Sequence, residues 1–196
     1  MNNTFKLRDN IFSSAYSLSF LEDDLEIKYP FKEYLIKYSD IDKLRCGIKW
    51  IKGYMFSIGR TFVIDFTLKD GSQFSLKLLS LYKIKLSSQQ ENYKQIITIL
   101  FEKTFDKKIA QYVDLIENGN SITIEKLKLS LKGIFIIDNN TPSQWHSVSL
   151  KKYFHYFVIY DIINPKINVS FDYLRDWDSW IIYSICEKFI QKNIRS

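Results

Sequence analysis

The sequence predicts an α+β protein built from two antiparallel β-rich units, each closed by an amphipathic C-terminal helix. Three observations carry this reading. Residues 88–118 form the longest helical pattern: Tyr93, Ile96, Ile97, Leu100, Phe101, Phe105, Ile109, Tyr112, Val113 and Ile116 recur at steps of three and four and share one face. Period-two alternation flanks that stretch on both sides. It is clearest in Phe62, Ile64, Phe66 and Leu68, then Phe74, Leu76 and Leu78, around Asp70-Gly71, as a two-residue hairpin requires. Finally, aromatics make up 16% of the chain, with 15 Phe and 13 Tyr, and such residues favour half-buried pleated surfaces.

Taken in order, Phe12, Tyr16, Leu18 and Phe20 alternate, and Leu25, Ile27 and Tyr29 continue after the acidic turn Glu22-Asp23-Asp24, so residues 11–29 predict a hairpin. Residues 31–38 predict another strand. Residues 38–44 cross an edge into Ile48, Trp50 and a strand at 55–58, and the Asp70-Gly71 hairpin follows. Ser88 and Glu91 read as a capping box at the start of the long helix, and Gly119, flanked by Asn118 and Asn120, reads as its left-handed end. Beyond it, Ile122, Ile124, Leu127, Leu129 and Leu131 alternate with Lys126, Lys128, Ser130 and Lys132. Gly133 precedes an apolar run at 134–137, and residues 138–142 predict a turn. Strands are expected around Trp145, Val148 and Leu150, at 153–160, and at Ile167, Val169, Phe171 and Tyr173. A helix over 177–193 closes the chain, capped by Asp176 or Asp178, with Trp177, Trp180, Ile181, Ile185, Phe189 and Ile190 as its stripe. The units are therefore 1–118, ending in helix 88–118, and 119–196, with one composite domain as the alternative.

The composition excludes several classes. With 46% hydrophobic and 26% charged residues, six Gly and three Pro, the chain is neither disordered nor linker-rich. Cys46 and Cys186 make neither a disulfide framework nor a metal site, so a reduced, cytoplasmic protein is expected. The first ten residues lack a signal-peptide core, and no run of about 18 apolar residues occurs. The Asn-x-Ser/Thr triplets at Asn2, Asn139 and Asn168 then read as chance matches in an Asn-rich chain.

No constellation reads as catalytic, metal-binding or cofactor-binding, and a non-enzymatic protein is expected. A zinc site would need His146 and His155 to converge with cysteines from distant segments. Cys186 falls near a buried stripe, where a small apolar role suits it. Asp172, Asp176 and Asp178 cluster at a helix start, where capping and the helix dipole account for them. Gly53 and Gly59 lack the Lys-Ser/Thr and following helix of a phosphate loop.

Two surfaces remain. Trp145, Tyr153, Phe154, Tyr156, Phe157 and Tyr160 crowd one region and put aromatics on both faces of a strand, so one face is free for an unidentified protein partner. Lys126, Lys128 and Lys132, with Lys77, Lys83 and Lys85 in the first half, offer the alternative of a cationic face for anionic membrane lipid. Nucleic acid is not expected, because arginines are few and scattered and no nucleic-acid-binding signature occurs.

Tyr38-Ser39-Asp40-Ile41 followed by the Asp70-Gly71 hairpin, and Leu131-Lys132-Gly133-Ile134 followed by Trp145-His146-Ser147-Val148, resemble the bacterial members of the pleckstrin-homology-like superfold. The resemblance covers nearly the whole chain as two tandem units. It implies bent antiparallel sheets with one corner plugged by a helix. Such folds host phosphoinositide binding, peptide binding and scaffolding, so the fold does not choose among them. The expectation is a cytoplasmic protein-interaction module, with attachment to the inner face of the membrane as the alternative.

Overall fold

The computed structural model describes residues 3–8, 14–82, 84–138 and 140–194. Asn2, Ile11, Phe12, Lys83 and Asn139, named above, lie outside them. The protein is α+β, mostly antiparallel sheet, and divides into two compact units, Met1–Thr104 and Phe105–Ser196. The division falls inside the long helical run, at Thr104/Phe105, and not at its end.

In the first unit, β1 (Asn3–Leu7), β2 (Tyr16–Phe20), β3 (Asp24–Tyr29) and β4 (Lys32–Lys37) form a four-stranded antiparallel meander. A 3-10 turn, Tyr38–Asp40, leads into a three-stranded meander of β5 (Ile41–Lys52), β6 (Ser57–Leu68) and β7 (Gln73–Leu81). Alternation decides which side chains go inside: Leu18, Leu25, Ile27, Phe62, Ile64, Phe66 and Leu76 are fully buried. An aromatic chain, Tyr16 on Tyr29, Tyr29 on Tyr34, Tyr34 on Phe74 and Phe74 on Phe66, runs through this unit with centroids 4.8 to 6.1 Å apart.

β1 falls in the N-terminal stretch for which no element was expected, and its two inward positions, Phe5 and Leu7, alternate into the core. Two expectations are corrected here. Residues 55–58 were expected as strand; Ser57 and Ile58 do open β6, but Met55 and Phe56 form an exposed hairpin tip with Tyr54. The Asp70-Gly71 hairpin has a three-residue loop, Lys69, Asp70 and Gly71. Leu68 and Ser72 close it at 2.8 Å, Asp70 Oδ1 accepts the Ser72 N–H at 2.8 Å, and Gly71 takes φ +88°.

The helical run comprises α1 (Leu86–Leu100), a π turn at Phe101–Phe105, and α2 (Asp106–Glu117). It begins two residues before the expected capping box, after Lys85 in a left-handed conformation; Ser88 lies inside it and Glu91 instead accepts from Gln95 at 3.1 Å. Its end matches the expectation, with Gly119 at φ +84° and its N–H on the Ile116 carbonyl at 3.0 Å. Within the first unit α1 packs on β6 and β7 and buries Ile96 and Leu100. Within the second, α2 packs on the closing helix and the first two strands of that unit, burying Val113 and Ile116, with Phe105 just before it also buried. Tyr93, Ile97, Phe101, Ile109 and Tyr112 are only partly covered.

After α2 the second unit repeats the order of elements. β8 (Ile122–Ile124), β9 (Leu127–Ser130), β10 (Gly133–Ile136) and β11 (Thr141–Gln144) form a four-stranded meander. A 3-10 turn, Trp145–Ser147, leads to β12 (Val148–Lys152), β13 (Tyr156–Asp161) and β14 (Asn168–Asp172), and α3 (Ser179–Ile194) closes it. β11 replaces part of the expected turn at 138–142. It carries Pro142 opposite Phe135, which an edge strand tolerates because no neighbour needs the missing N–H. Leu131, expected inside, sits in the β9–β10 turn and is exposed. A Cβ on Gly133 would collide with the Ser143 carbonyl, so only glycine lets β10 and β11 approach there.

The recurrence reaches individual hydrogen bonds. Leu21 with Asp24 closes the β2–β3 turn, and Ser130 pairs with Gly133 at the β9–β10 turn. From the 3-10 turn of each unit an aromatic reaches back to that place: Tyr38 Oη donates to the Leu21 carbonyl at 3.1 Å, and Trp145 Nε1 to the Ser130 carbonyl at 2.9 Å. The turns are tied forward in the same way, with the Lys69 N–H on the Asp40 carbonyl at 2.9 Å and the Ile162 N–H on the Ser147 carbonyl at 2.7 Å.

Candidate functional site

The aromatic region at 145–160 is sorted by strand parity. In β13 the inward positions are Phe157 and Ile159, both fully buried, and the outward ones are Tyr156, Val158 and Tyr160. Phe157 stacks on Phe171 at 5.2 Å and meets Tyr183 edge-on at 5.3 Å. Trp145 stacks on Phe189 at 5.1 Å. These two of the six expected partner-binding residues are therefore core; an indole with its N–H satisfied and a phenyl ring with no polar atom gain from burial.

Tyr153, Phe154 and Tyr156 are exposed, and Tyr160 is half-buried. The first three stand at the β12–β13 tip, where the Tyr153 N–H donates to the Tyr156 carbonyl at 2.8 Å, and Tyr160 lies four residues along β13, opposite Ser149. The Tyr153 and Tyr156 rings stack at 4.7 Å with an interplanar angle of 16°. Lys151 Nζ lies 5.4 Å from the Tyr153 ring centroid; Lys152 Nζ instead lies 3.8 Å from that of Tyr183. Burial pushes the Tyr183 hydroxyl up to about 12, so it stays neutral and donates to Glu187 at 2.8 Å. Trp180 stacks on Tyr173 at 4.6 Å and lies 5.3 Å from Lys152 Nζ. Tyr173 and Tyr183 thus reach the core through Phe157, whereas Tyr153 and Tyr156 stack on each other at the tip.

At the other end of β13 from this tip lies Asp161, buried where the strand pairs with the start of β12. Its carboxylate accepts from the Ser143 hydroxyl, from the Ser147 hydroxyl at 2.7 Å, and from the N–H groups of Ile163 and Asn164 at 2.8 and 2.9 Å. Led by the Ser143 bond, these donors lower its pKa to about 2. A carboxylate so fully bound is an organiser of the loop.

The six lysines do not make one set. Lys126 is half-buried and bonded to Asp176 at 3.0 Å, which removes it from any free cationic face. Lys128 and Lys132 are exposed and line one hollow of about 550 Å³ with Ser121, Phe135 and Gln144. In the first unit Lys77 is half-buried, and Lys85 lines a hollow of about 400 Å³ in the company of Lys6 and Arg8, which the sequence reading did not single out. Lys83 lies outside the described residues.

The acidic trio is also occupied. Asp172 Oδ1 accepts from the N–H groups of Leu174 and Arg175, Asp176 takes the Asp172 N–H and Lys126, and Asp178 pairs with Lys108 at 3.0 Å. His146 and His155 are exposed, and Cys46 and Cys186 are buried. Among the described residues no three His, Cys, Asp or Glu side chains are grouped to hold a metal, and no helix is long and apolar enough to cross a membrane.

The sequence reading missed the equivalent hairpin of the first unit. Its tip, Gly53 to Phe56, closes with the same bond, Gly53 N–H to Phe56 carbonyl at 2.7 Å, and leaves Tyr54, Met55 and Phe56 exposed. A signal for it exists in the sequence: residues 43–64 hold five cations and no Asp or Glu. No family model and no curated protein matches the chain.

Proposed function

We propose that this chain is a non-enzymatic binding protein of two tandem pleckstrin-homology-like units that engages a protein partner through the β12–β13 hairpin. The order of four-strand meander, 3-10 turn, three-strand meander and helix supports the fold reading in each unit. The stacked, exposed Tyr153–Tyr156 pair carries the functional one. Large aromatic side chains already held in one geometry lose little conformational freedom on docking, and such residues dominate binding hot spots.

The test is a pull-down with the full chain from unfractionated lysate, membranes included, washed at about 1 M salt, where the screening length falls to about 3 Å. A protein retained by the native chain and reduced at least about tenfold by Tyr153→Ser with Tyr156→Ser is the expected outcome, since two lost hot-spot side chains cost about 2 kcal/mol or more. Equal retention by both chains contradicts it.

A further inference from the structure

The tip of the β5–β6 hairpin is chemically unlike its counterpart in the second unit. Tyr54, Met55 and Phe56 are 101%, 84% and 67% exposed, so three consecutive large apolar side chains stand in water at the end of two 12-residue strands. Their surroundings are cationic. Lys49 and Lys52 are exposed on β5, and Arg60 on β6 lies over the Trp50 ring at 4.2 Å. The hairpin's first carboxylate after the tip is Asp65, which Arg45 holds at 3.0 Å seven residues back from Lys52, about 24 Å along the strand. Beside the tip a hollow of about 420 Å³ is lined by Trp50, Phe56, Gly59, Arg60, Tyr82 and Leu86, with no acidic residue in its wall. Tyr82, itself exposed, is fastened to the hairpin by its N–H on the Ile58 carbonyl at 2.7 Å.

We infer that this tip is a membrane-interface anchor whose occupant is the surface of a bilayer containing anionic phospholipid. An apolar end backed by cations matches the two layers of such a surface. Apolar side chains of interfacial elements settle about 5–10 Å into the boundary between headgroups and acyl chains. Lys52 stands two residues, about 7 Å, behind Tyr54, at the level of the phosphates, with Arg60 and Lys49 farther out. Gly59 suits the crowded wall of the hollow, because a Cβ there would collide with the Ser80 carbonyl on β7. A fluid interface needs no preset ring geometry. That separates this tip from the stacked pair at Tyr153 and Tyr156, and its contact with lipid stands apart from the protein-binding reading above.

The experiment uses the full chain with Met55→Cys labelled by an environment-sensitive fluorophore. Cys46 and Cys186 are buried, so the label goes to the tip. Vesicles of phosphatidylcholine alone are compared with vesicles carrying about one-third phosphatidylserine. A blue shift on the anionic vesicles only is expected, with affinity falling roughly fivefold for each of Lys49→Gln and Lys52→Gln, and about tenfold or more in an unlabelled Tyr54→Ser, Phe56→Ser chain scored by co-sedimentation. A label that stays in water on every composition overturns the inference, as does vesicle binding lost with Lys128→Gln and Lys132→Gln but kept in the tip variants. A protein from lysate that shields the label while vesicles do not overturns it as well.

Discussion

Asp161 shows how one residue organises the loop that follows β13. Four donors converge on a carboxylate at the end of β13, and two of them are the backbone N–H groups that shape residues 162–164. Asp161→Asn replaces an acceptor-only group by one that also donates, so at least one donor is left without a partner, at a cost of about 1–3 kcal/mol. The pH dependence has a definite sign. The folded pKa of about 2 lies below the unfolded value of about 3.9, so the stabilisation is complete above about pH 4 and is lost as pH falls through about 2. Urea midpoints of the native chain and the Asn variant should differ at pH 7 and converge between about pH 4 and pH 2. The same scale explains the errors over Trp145 and Phe157. In Tyr153-Phe154-His155-Tyr156-Phe157 aromatics occupy both parities, and the sequence gives no preference for which parity faces in. The decision comes from partners far along the chain, Phe171 and Phe189, which only the fold brings near.

At the scale of elements, long periodic segments were legible and short polar ones were not. The pattern of residues 88–118 predicted a helix, and a helix is there. The π turn at Phe101–Phe105 is invisible to periodicity, because the apolar positions around it still fall at steps of three to five. β11, with the sequence Thr-Pro-Ser-Gln, has one buried side chain, Ser143, and is a strand because β10 offers it an edge. Gly133 makes that pairing possible, and Gly133→Ala should cost about 1–3 kcal/mol by forcing β10 away from the Ser143 carbonyl. Thermal or urea unfolding measures it directly; a change below about 0.5 kcal/mol would mean that the strands separate freely there. Tyr54, Met55 and Phe56 escaped notice for a different reason. An apolar run in a sequence reads as buried strand, and only the register of β5 against β6, with Lys52 opposite Ser57, shows that these residues are the turn.

Across the whole molecule, the sequence foreshadowed two β-rich units each with a helix after its strands, and each unit considered alone has that order. The short motifs Tyr38-Ser39-Asp40-Ile41 and Trp145-His146-Ser147-Val148 hold equivalent places, each being the 3-10 turn between the four-stranded and the three-stranded sheet of its own unit. Their first residues are buried aromatics whose polar tips donate to equivalent turn carbonyls, Leu21 in one unit and Ser130 in the other, a physical reason for the likeness that spacing alone did not supply. The expected split of the chain after residue 118 differs from the observed division at 104/105, since α2 buries its apolar residues within the second unit. The net charge of +6 is dispersed: Lys126, Lys108 and Arg45 are spent on internal carboxylates, whereas Lys49 and Lys52, beside an apolar tip, form no ion pair among the described residues.

The central functional claim is that the β12–β13 hairpin touches a protein. The most direct measurement places a photo-crosslinking benzoylphenylalanine at position 154 of the full chain in the native cell, with the same residue at position 31, also exposed, as control. The account predicts one discrete cross-linked protein from position 154 and none from position 31. No product from position 154, or the same products from both positions, would contradict it.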